Sequence, residues 1–456
     1  MKKYRIAALF FAIILAFSLA TPAFALDDPA PLAGAAILVD GDNNEILYEM
    51  NAHEKMYPAS VTKIMTTLVV LDAVDKGQIS LDTEVTASSR AVSLPLGSST
   101  AGIKAGEVLT IEQLLYCDLI PSANEACNIL AEAIAGDNES FAELMNAKAA
   151  ELGCVNTHFT NPHGLHDDNH YSTAYDIYLM AKAAMEYELF RTIVSTAVYE
   201  LAPTNKSDAR TLYSTNGFLS NWYVRGYKYD KAIGIKTGYT DEAGRCLASA
   251  AVDEQGRTFY CVVLGTRDGK DENGNTVRYS FKESQRLLEW AFANFRRTTL
   301  LDENTRNVIR EVPVTLSETD YVLALPVGSI EATMPIDYTI SDAELIIDLP
   351  ESVEAPVVAG TKLGTVSIVY NGVNYGTLDL VASDDVERSD YLYYKAQAAM
   401  YWSYWWVKTL AGLAVLLVVL IILLIVVSVR RASRRRYSYS GGGRRSSGSY
   451  HGGRRR

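Results

Sequence analysis

The pattern of apolar and polar positions changes twice along the chain. Two short apolar runs, Ala35–Val39 and Ile46–Glu49, flank a turn-rich segment and predict a β-hairpin. Helical spacing follows, and the predicted helices are Ile64–Val74, Thr110–Leu119, Ser122–Ala135, Ser140–Leu152 and Ala174–Tyr187. The period then becomes that of strands, before a final amphipathic helix at Phe281–Phe295. The predicted strands are Ala232–Ile235, Arg245–Val252 and Arg257–Leu264.

Along residues 26–300, a hairpin comes first, helices follow, and strands come last. This order predicts one sheet assembled from both ends of the region, with a helical cluster inserted between them. We therefore expect an α+β domain there. Residues 301–388 show only short strand patterns, and Asn371-Gly372 is a strong hairpin signal. These patterns lie at Tyr321–Leu325, Ala343–Leu349 and Val366–Tyr370. This second region contains no histidine, so we expect a small all-β domain that supports or interacts rather than catalyses.

Neither end of the chain has a globular pattern. Met1–Arg5 is basic, an apolar run continues to Leu19, and Ala23-Phe24-Ala25 supplies small residues, which is the order of a secretory signal peptide over residues 1–25. An uncleaved membrane anchor is the alternative. It is disfavoured because the apolar run is short for a membrane span.

The other end predicts a membrane anchor. Leu410–Val429 is an uninterrupted apolar run, long enough to cross a bilayer as a helix. Residues 389–409 before it form an aromatic juxtamembrane segment, and the tail 430–456 begins with a cluster of arginines. We therefore expect a single transmembrane helix at the cell membrane, a cytoplasmic tail held near anionic lipid, and a body outside the cytoplasm.

Charge and cysteine usage narrow the possible partners and sites. The chain has 42 Lys and Arg against 54 Asp and Glu, and ten of the arginines lie in the tail, so the body is strongly acidic. Such a body does not attract an anionic polymer over long range, and we expect no nucleic-acid partner. The five cysteines form no Cys-x-x-Cys unit. We expect buried thiols for most of them, with oxidation of one pair as the alternative.

The segment around Ser60 is the strongest candidate for chemistry. Ser60 follows Pro58-Ala59 at the predicted start of the first helix, where serine is a good N-cap. Lys63 comes three residues later on the same helix face, so its amine can reach the serine hydroxyl. A single Ser-x-x-Lys match is often only a helix cap, but two further motifs follow this one in order.

The second motif is Ser122-Ala123-Asn124, which offers a hydroxyl as a proton relay and a carboxamide that can hold a lysine amine. Ser214-Thr215-Asn216 fits the same pattern, but it lies in an irregular region before the strands, so we favour Ser122. The third motif is Lys236-Thr237-Gly238, which ends a predicted strand. A cation and a hydroxyl on an edge strand suit a terminal carboxylate, and the glycine lets a ligand backbone lie alongside.

Taken in order, the three motifs resemble the motif triplet of penicillin-binding proteins and serine β-lactamases. The flanking segments are most similar to the low-molecular-mass D-alanyl-D-alanine carboxypeptidases of serine peptidase family S11, from about residue 30 to the anchor. These segments are Tyr57-Pro58-Ala59-Ser60, Asn161-Pro162-His163-Gly164-Leu165, His170-Tyr171-Ser172-Thr173-Ala174 and Gly234-Ile235-Lys236-Thr237-Gly238-Tyr239-Thr240.

The resemblance implies a serine DD-peptidase/β-lactamase-like catalytic domain, followed by the small all-β domain and the transmembrane helix. It implies an enzyme that removes the last D-alanine of peptidoglycan stem pentapeptides, is acylated by β-lactams and needs no cofactor. Ser60 would be the nucleophile, Lys63 its base and Ser122 the proton relay. The substrate-binding residues would be Asn124, Lys236, Thr237, Gly238 and Tyr239.

Family members also use a downstream arginine for the terminal carboxylate. Arg278 lies near the expected place, although its spacing to the next helix does not match.

Three other interpretations compete. Four histidines between residues 158 and 170, beside Asp167 and Asp168, could form a metal site, but two of them fall within the family's loop sequences, so we expect no metal. A class A β-lactamase would need a glutamate base, and no matching Glu-x-x-x-Asn element follows Ser122. A non-catalytic wall-binding protein is disfavoured by the intact motif triplet.

Overall fold

The structure is a computed structural model, and it describes residues 28–438. The predicted signal peptide at 1–25 and residues 439–456 of the predicted tail lie outside the described residues. The chain forms two compact units. The first extends to Thr299 and also contains Glu331–Ile340, whereas the second comprises Leu300–Ile330 and the chain from Ser341 onward.

The strands up to residue 301 are β1 (Ala35–Asp40), β2 (Ile46–Met50), β3 (Glu84–Thr86), β4 (Val108–Thr110), β5 (Val198–Leu201), β6 (Arg210–Tyr213), β7 (Ala232–Thr240), β8 (Gly244–Val252), β9 (Thr258–Thr266), β10 (Gly269–Lys270), β11 (Thr276–Val277) and β12 (Phe295–Leu301). The main sheet of the first unit is antiparallel, with the order β2-β1-β9-β8-β7. In it β1 pairs with β9, and Ile37 lies opposite Val262. This pairing confirms the predicted sheet built from both ends of the unit.

The helices of the first unit are α1 (Lys63–Asp75), α2 (Ile111–Leu119), α3 (Asn124–Ala135), α4 (Asn138–Glu151), α5 (Ala174–Met185), α6 (Glu188–Ser195) and α7 (Tyr279–Asn294). Successive side chains of β1 point to opposite faces of the sheet, and helices cover both faces. Ile37 and Val39 belong to one buried cluster with residues of α1 to α6, whereas Leu38 belongs to another with Leu287 and Leu288 of α7. The α+β class predicted from the sequence is confirmed.

Some elements differ from their predicted form. Strand β7 continues to Thr240, so the Lys-Thr-Gly motif lies within the strand rather than at its end. Helix α6 was not predicted, because a segment this short shows too few turns for a period. It supports the edge strand: a Cβ added at Gly234 of β7 would lie 2.9 Å from Val194 Cγ2. All five cysteines are buried and none is in a disulfide, as expected for most of them.

The strands after residue 301 are β13 (Arg310–Thr315), β14 (Tyr321–Val327), β15 (Ile330–Pro335), β16 (Glu344–Asp348), β17 (Val353–Glu354), β18 (Lys362–Tyr370) and β19 (Val373–Ala382). Six of them form the sheet of the second unit, in the order β16-β18-β19-β14-β13-β17. Asn371 and Gly372 join β18 to β19 with positive φ values of 49° and 80°, as a tight hairpin turn requires. The predicted all-β region and its hairpin are confirmed.

The second unit ends in two helices, α8 (Asp390–Ser403) and α9 (Trp405–Ser438). Within α9, the segment Trp405–Ala432 contains an 18-residue stretch with a mean hydropathy of 3.6, and α9 is the one helix in residues 28–438 that is long and apolar enough to cross a membrane. Its side chains are exposed along the predicted span Leu410–Val429, which is consistent with a lipid-facing anchor.

Candidate active site

Ser60 lies in a tight turn directly before helix α1. Residues Ala59–Thr62 form a 3-10 helix with Pro58 at its N-cap, and α1 begins at Lys63. The prediction that Ser60 caps the α-helix is wrong, because Thr62 is the N-cap of α1 and Ser60 lies within the 3-10 helix before it. The Ser60 hydroxyl instead accepts a hydrogen bond from the Lys63 amine at 3.1 Å. The spacing of three residues still places both side chains on one face, since 3-10 geometry aligns positions i and i+3.

Two glycines let other segments approach this turn closely. Gly164 has a φ of +80°, and a Cβ there would lie 1.9 Å from the carbonyl oxygen of Ala59. Gly238 of β7 passes on another side, where a Cβ would lie 2.9 Å from the carbonyl oxygen of Pro58 and 3.1 Å from the backbone nitrogen of Ser60. A side chain at either position would displace the turn, so the glycines hold the serine backbone in place.

Lys63 is fully buried, and its amine contacts three oxygen atoms. Its Nζ lies 3.1 Å from Ser60 Oγ, 2.7 Å from Asn124 Oδ1 and 2.7 Å from the carbonyl oxygen of His163. These three contacts fix the amine beside the serine hydroxyl. Asn124 is the first residue of α3, so the second motif supplies the contact predicted for its carboxamide.

Lys236 and Ser122 form the second polar pair. The Lys236 amine donates to Ser122 Oγ at 2.9 Å and to the carbonyl oxygen of Thr237 at 3.0 Å. Burial and, after it, the positive charge of Lys63 lower the pKa of Lys236 to about 7. Lys236 therefore loses its proton more readily than an exposed lysine does.

The three motifs meet at one open cleft with a volume of about 570 Å³. The predicted site residues that line it are Ser60, Ser122, Thr237, Gly238 and Tyr239. Three more, Lys63, Asn124 and Lys236, are buried behind this wall and reach it through the hydrogen bonds given above. The structure thus brings together every residue that the motifs predicted.

The alternative motif, Ser214-Thr215-Asn216, contributes to the cleft through Thr215, which was not predicted from the sequence. Thr215 lines the cleft, and its Oγ1 lies 2.7 Å from Thr237 Oγ1. The Ser214 hydroxyl accepts a local hydrogen bond from the backbone nitrogen of Asn216 at 3.2 Å. This geometry favours Ser122 as the motif serine, because Ser122 is the one that contacts a lysine.

Two arginines line the same cleft. Arg278, considered from the sequence, and Arg245, which was missed, both pair with Asp268, and Arg245 Nη2 lies 3.2 Å from that carboxylate. The Arg245 guanidinium also lies 4.0 Å from the ring centre of Tyr239. Arg245 directly follows the turn after the Lys-Thr-Gly strand, and a charged residue at the start of an otherwise apolar strand was the signal that could have found it.

Asp118 is a buried carboxylate close to the two lysines, and it was also missed. It lies on α2 and accepts hydrogen bonds from Thr67 Oγ1 and from Cys127 Sγ, each at 2.9 Å. Burial raises its pKa, while the positive charge of Lys63 opposes that rise. In return, its negative charge favours the protonated form of Lys236. A lone aspartate among the apolar residues of α2 was the available signal.

The histidine cluster has a structural part in the site. In residues 28–438, no group of three or more His, Cys, Asp and Glu side chains is placed to hold a metal ion. His170 Nδ1 accepts from the backbone nitrogen of Thr160 at 3.1 Å, and its Nε2 lies 2.8 Å from Thr62 Oγ1, beside the serine turn. Burial lowers the pKa of His163 to about 3 and that of His170 to about 4, so both are neutral near pH 7.

Comparison with known proteins places this site in a family. A sequence model described as D-alanyl-D-alanine carboxypeptidase matches residues 23–268, more than half of the chain. The chain belongs to this family. A second model, described as the C-terminal domain of penicillin-binding protein 5, matches residues 295–388.

Individual D-alanyl-D-alanine carboxypeptidases align over most of the chain. DacF of Bacillus subtilis is 31% identical over 386 residues, which cover 83% of this chain and 94% of DacF. DacC of Escherichia coli is also 31% identical, over 82% of this chain and 90% of DacC. Two crystal structures agree in fold. Penicillin-binding protein 5 of Haemophilus influenzae has 28% identity and a TM-score of 0.58, covering 78% of this chain and 98% of its own.

Penicillin-binding protein 6B of Escherichia coli is similar, with 26% identity, a TM-score of 0.59 and coverage of 79% of this chain and 98% of its own. The predicted family, fold class and enzyme class are therefore confirmed. This D-alanyl-D-alanine carboxypeptidase is a penicillin-binding serine enzyme, and the β-lactamase and scaffold alternatives are not favoured. Membership implies a peptidoglycan substrate and β-lactam binding.

Proposed function

We propose that Ser60 removes the terminal D-alanine of peptidoglycan stem pentapeptides through an acyl-enzyme, and that penicillin acylates the same hydroxyl. The observation that carries this proposal is the 3.1 Å contact between Lys63 Nζ and Ser60 Oγ at the wall of the cleft. It supplies a nucleophile and a base in direct contact, which is the arrangement that activates a serine.

In the first step, neutral Lys63 takes the proton of Ser60 while Oγ attacks the carbonyl carbon between the two D-alanines. The carbonyl oxygen becomes an oxyanion, and the backbone N–H groups of Ser60 and Tyr239 stabilise it. Each such donor contributes about 3 kcal/mol to transition-state stabilisation. Gly238 supports this arrangement, because its lack of a side chain lets β7 lie against the Ser60 backbone nitrogen.

In the second step, the peptide C–N bond breaks and the leaving amine needs a proton. Ser122 relays to this amine the proton that Lys63 took from Ser60, with Lys236 as the neighbouring cation at 2.9 Å from Ser122 Oγ. Asn124 holds Lys63 in position at 2.7 Å and orients the acyl side of the substrate. Thr237 and Lys236 hold the terminal carboxylate of the substrate. Water then hydrolyses the ester of the acyl-enzyme and frees Ser60. No cofactor or metal enters these steps.

We infer that this chemistry takes place on the outer side of the cell membrane. Residues 26–300 carry catalysis, and residues 301–388 support the catalytic region or interact with other molecules. The Leu410–Val429 span anchors the protein in the lipid bilayer, with the catalytic body outside the cytoplasm. Removal of the segment 1–25 as a signal peptide belongs to the same proposal.

The deciding experiment incubates the full chain, in detergent, with a pentapeptide that ends in D-Ala-D-Ala and with penicillin, followed by mass spectrometry of protein and products. We expect release of one D-alanine and a slowly hydrolysed penicilloyl adduct. Ser60→Ala abolishes both. Persistence of either in this variant would refute the choice of nucleophile, and rapid penicillin hydrolysis would favour a β-lactamase.

A paired comparison tests the second motif. Ser122→Ala lowers the rate of D-alanine release by about 10²-fold or more, because a positioned proton donor is lost. Ser214→Ala, in the rival motif, leaves that rate within about twofold, since its hydroxyl makes only a local turn bond. The reverse result would assign the proton relay to Ser214.

A further inference from the structure

Two aromatic side chains form a flat platform beside the active-site cleft. Tyr213, the last residue of β6, stacks on Trp222 with ring centres 3.8 Å apart and planes 3° from parallel. Trp222 is 60% exposed, so Tyr213 covers one face of the indole and the rest of the ring meets solvent. The stacking fixes the indole in one orientation, which reduces the entropy lost when a ligand lies on it.

Polar groups surround this platform. Asn221 and Arg225 line the same shallow depression, which has a volume of about 540 Å³. The Asn221 side-chain oxygen accepts a hydrogen bond from the backbone nitrogen of Gly226 at 3.3 Å. Its amide N–H groups are therefore available to donate to a ligand. Among residues 28–438, Arg225 makes no hydrogen bond or ion pair. An open aromatic face thus lies next to two groups that can donate hydrogen bonds.

The platform and the cleft are built on one loop. Tyr223 and Val224, which directly follow Trp222, line the cleft that contains Ser60. Consecutive Cα atoms are 3.8 Å apart, so the backbone passes from platform to cleft wall within about 7 Å. An extended stem of five residues spans at most about 18 Å, so the sugar that carries a bound stem lies on the surface around the cleft.

These features select one kind of ligand. A pyranose ring has an apolar face of C–H bonds, which packs on an aromatic ring, and an edge of hydroxyl and acetamido groups, which accept hydrogen bonds from amide and guanidinium groups. A quaternary ammonium would instead need several aromatic faces and no neighbouring arginine. A lipid headgroup would need a cluster of cations, whereas Arg225 is the one cation lining this depression among the described residues.

We propose that the Tyr213–Trp222 platform, with Asn221 and Arg225, binds a pyranose ring of the glycan strand to which the stem peptide is attached. The inference rests on the proposed function, because it takes the stem peptide as the substrate in the cleft. It makes this carboxypeptidase selective for glycan-linked stems over free peptides, since only the former engage the cleft and the platform together.

The test compares two substrates with the same pentapeptide, one free and one linked to the disaccharide N-acetylglucosaminyl-N-acetylmuramic acid. With the full chain in detergent, Trp222→Ala is expected to lower kcat/KM for the disaccharide substrate about tenfold, mainly through KM, because it removes the stacking surface. The rates for free pentapeptide and for penicillin acylation stay within about twofold, because neither ligand carries a sugar. Trp222→Phe restores part of the loss, and Arg225→Ala has a smaller effect in the same direction.

Tyr321→Ala is the matched control, since this tyrosine is exposed on a strand of the second unit and should change neither substrate. Equal kcat/KM values for both substrates in the unaltered chain, or an equal loss on both in Trp222→Ala, would overturn the platform proposal. Failure of the unaltered chain to release D-alanine from either substrate would refute the proposed function instead. In that case calorimetric titration with the N-acetylglucosamine tetramer still decides, because the proposal requires binding that Trp222→Ala abolishes.

Discussion

The two compact units bury different kinds of residues. The first buries lysine, aspartate, glutamate, histidine and asparagine among its apolar side chains, whereas in the described part of the second no residue of polar or charged type is buried. A buried polar group costs free energy unless it finds a partner. The first unit therefore holds reactive polar groups away from water, whereas the second unit buries apolar side chains that stabilise its fold.

Partners for the buried charges of the first unit extend beyond the cleft. Glu107 is fully buried and accepts hydrogen bonds from Arg210 at 2.6 Å and from Thr204 at 2.7 Å. In the second unit, by contrast, apolar side chains such as Val366 and Leu380 fill the buried positions of the sheet. Substitutions in the two units should therefore change different measured quantities.

The largest effect is expected at Lys63. Lys63→Met keeps the length of the side chain but removes the amine beside Ser60, so acylation by penicillin should slow by about 10²- to 10⁴-fold. Labelling with a fluorescent penicillin over time measures this rate. Lys76→Met is the matched control, because that lysine is exposed and pairs only with Asp72. Labelling of Lys63→Met at the unaltered rate would remove Lys63 from the mechanism.

The second unit should respond through stability instead. Leu380 is fully buried in β19, and Leu380→Ala should lower the free energy of unfolding by about 2–5 kcal/mol, through lost burial and a residual cavity. Denaturant titration with a probe in the second unit measures this change. The rate of penicillin acylation, followed below the unfolding transition, should stay unchanged. A fall in that rate parallel to the stability loss would contradict the separation of roles.

Acid should weaken the first unit selectively. The folded-state pKa of His170 is lowered to about 4, whereas an unfolded histidine titrates near 6.5. The unfolded chain therefore binds a proton that the folded chain excludes, and stability is lost as pH falls from about 6.5 to 4, by up to about 3 kcal/mol. Thermal unfolding across this range should show a smaller loss in His170→Gln. An equal loss in both proteins would place the acid sensitivity elsewhere.

The smallest effect is expected at Asp118. Its negative charge favours the protonated form of Lys236, so Asp118→Asn should make that lysine lose its proton more readily. The alkaline limb of the pH profile of acylation, where the Lys236 cation is lost, should then move to lower pH, by up to about one unit. Cys127→Ala, which removes a hydrogen-bond donor but keeps the charge, is the control. An unchanged profile in Asp118→Asn would mean that this carboxylate acts only through its hydrogen bonds.

Much of the first unit could be predicted because its signals are local. Thr110 forms a capping box with Gln113, and the helix that follows begins where its sequence indicates. The three motifs are short, and their order is visible without a structure. The end of β7 was misjudged, because Thr237 to Thr240 carry no apolar alternation, and they are held as a strand by pairing with β8. Propensity cannot report such a partner.

Residues whose function depends on distant parts of the chain were missed for the same reason. Arg245, Asp118 and Thr215 are ordinary residues in their own segments, and they acquire a place in the site only when β8, α2 and the loop after β6 converge. The carbonyl oxygen of His163 could not be anticipated either, since every residue has one and only folding brings this one to the Lys63 amine.

The sequence alone was enough to predict that Ser60 and Lys63 would meet. A spacing of three residues along a helical turn brings two side chains to the same face. Which other groups surround that pair, such as the carboxylate of Asp118, the hydroxyl of Thr215 and the carbonyl oxygen of His163, depended on how distant segments pack. Those contacts join residues far apart in the chain, and no short-range pattern encodes them.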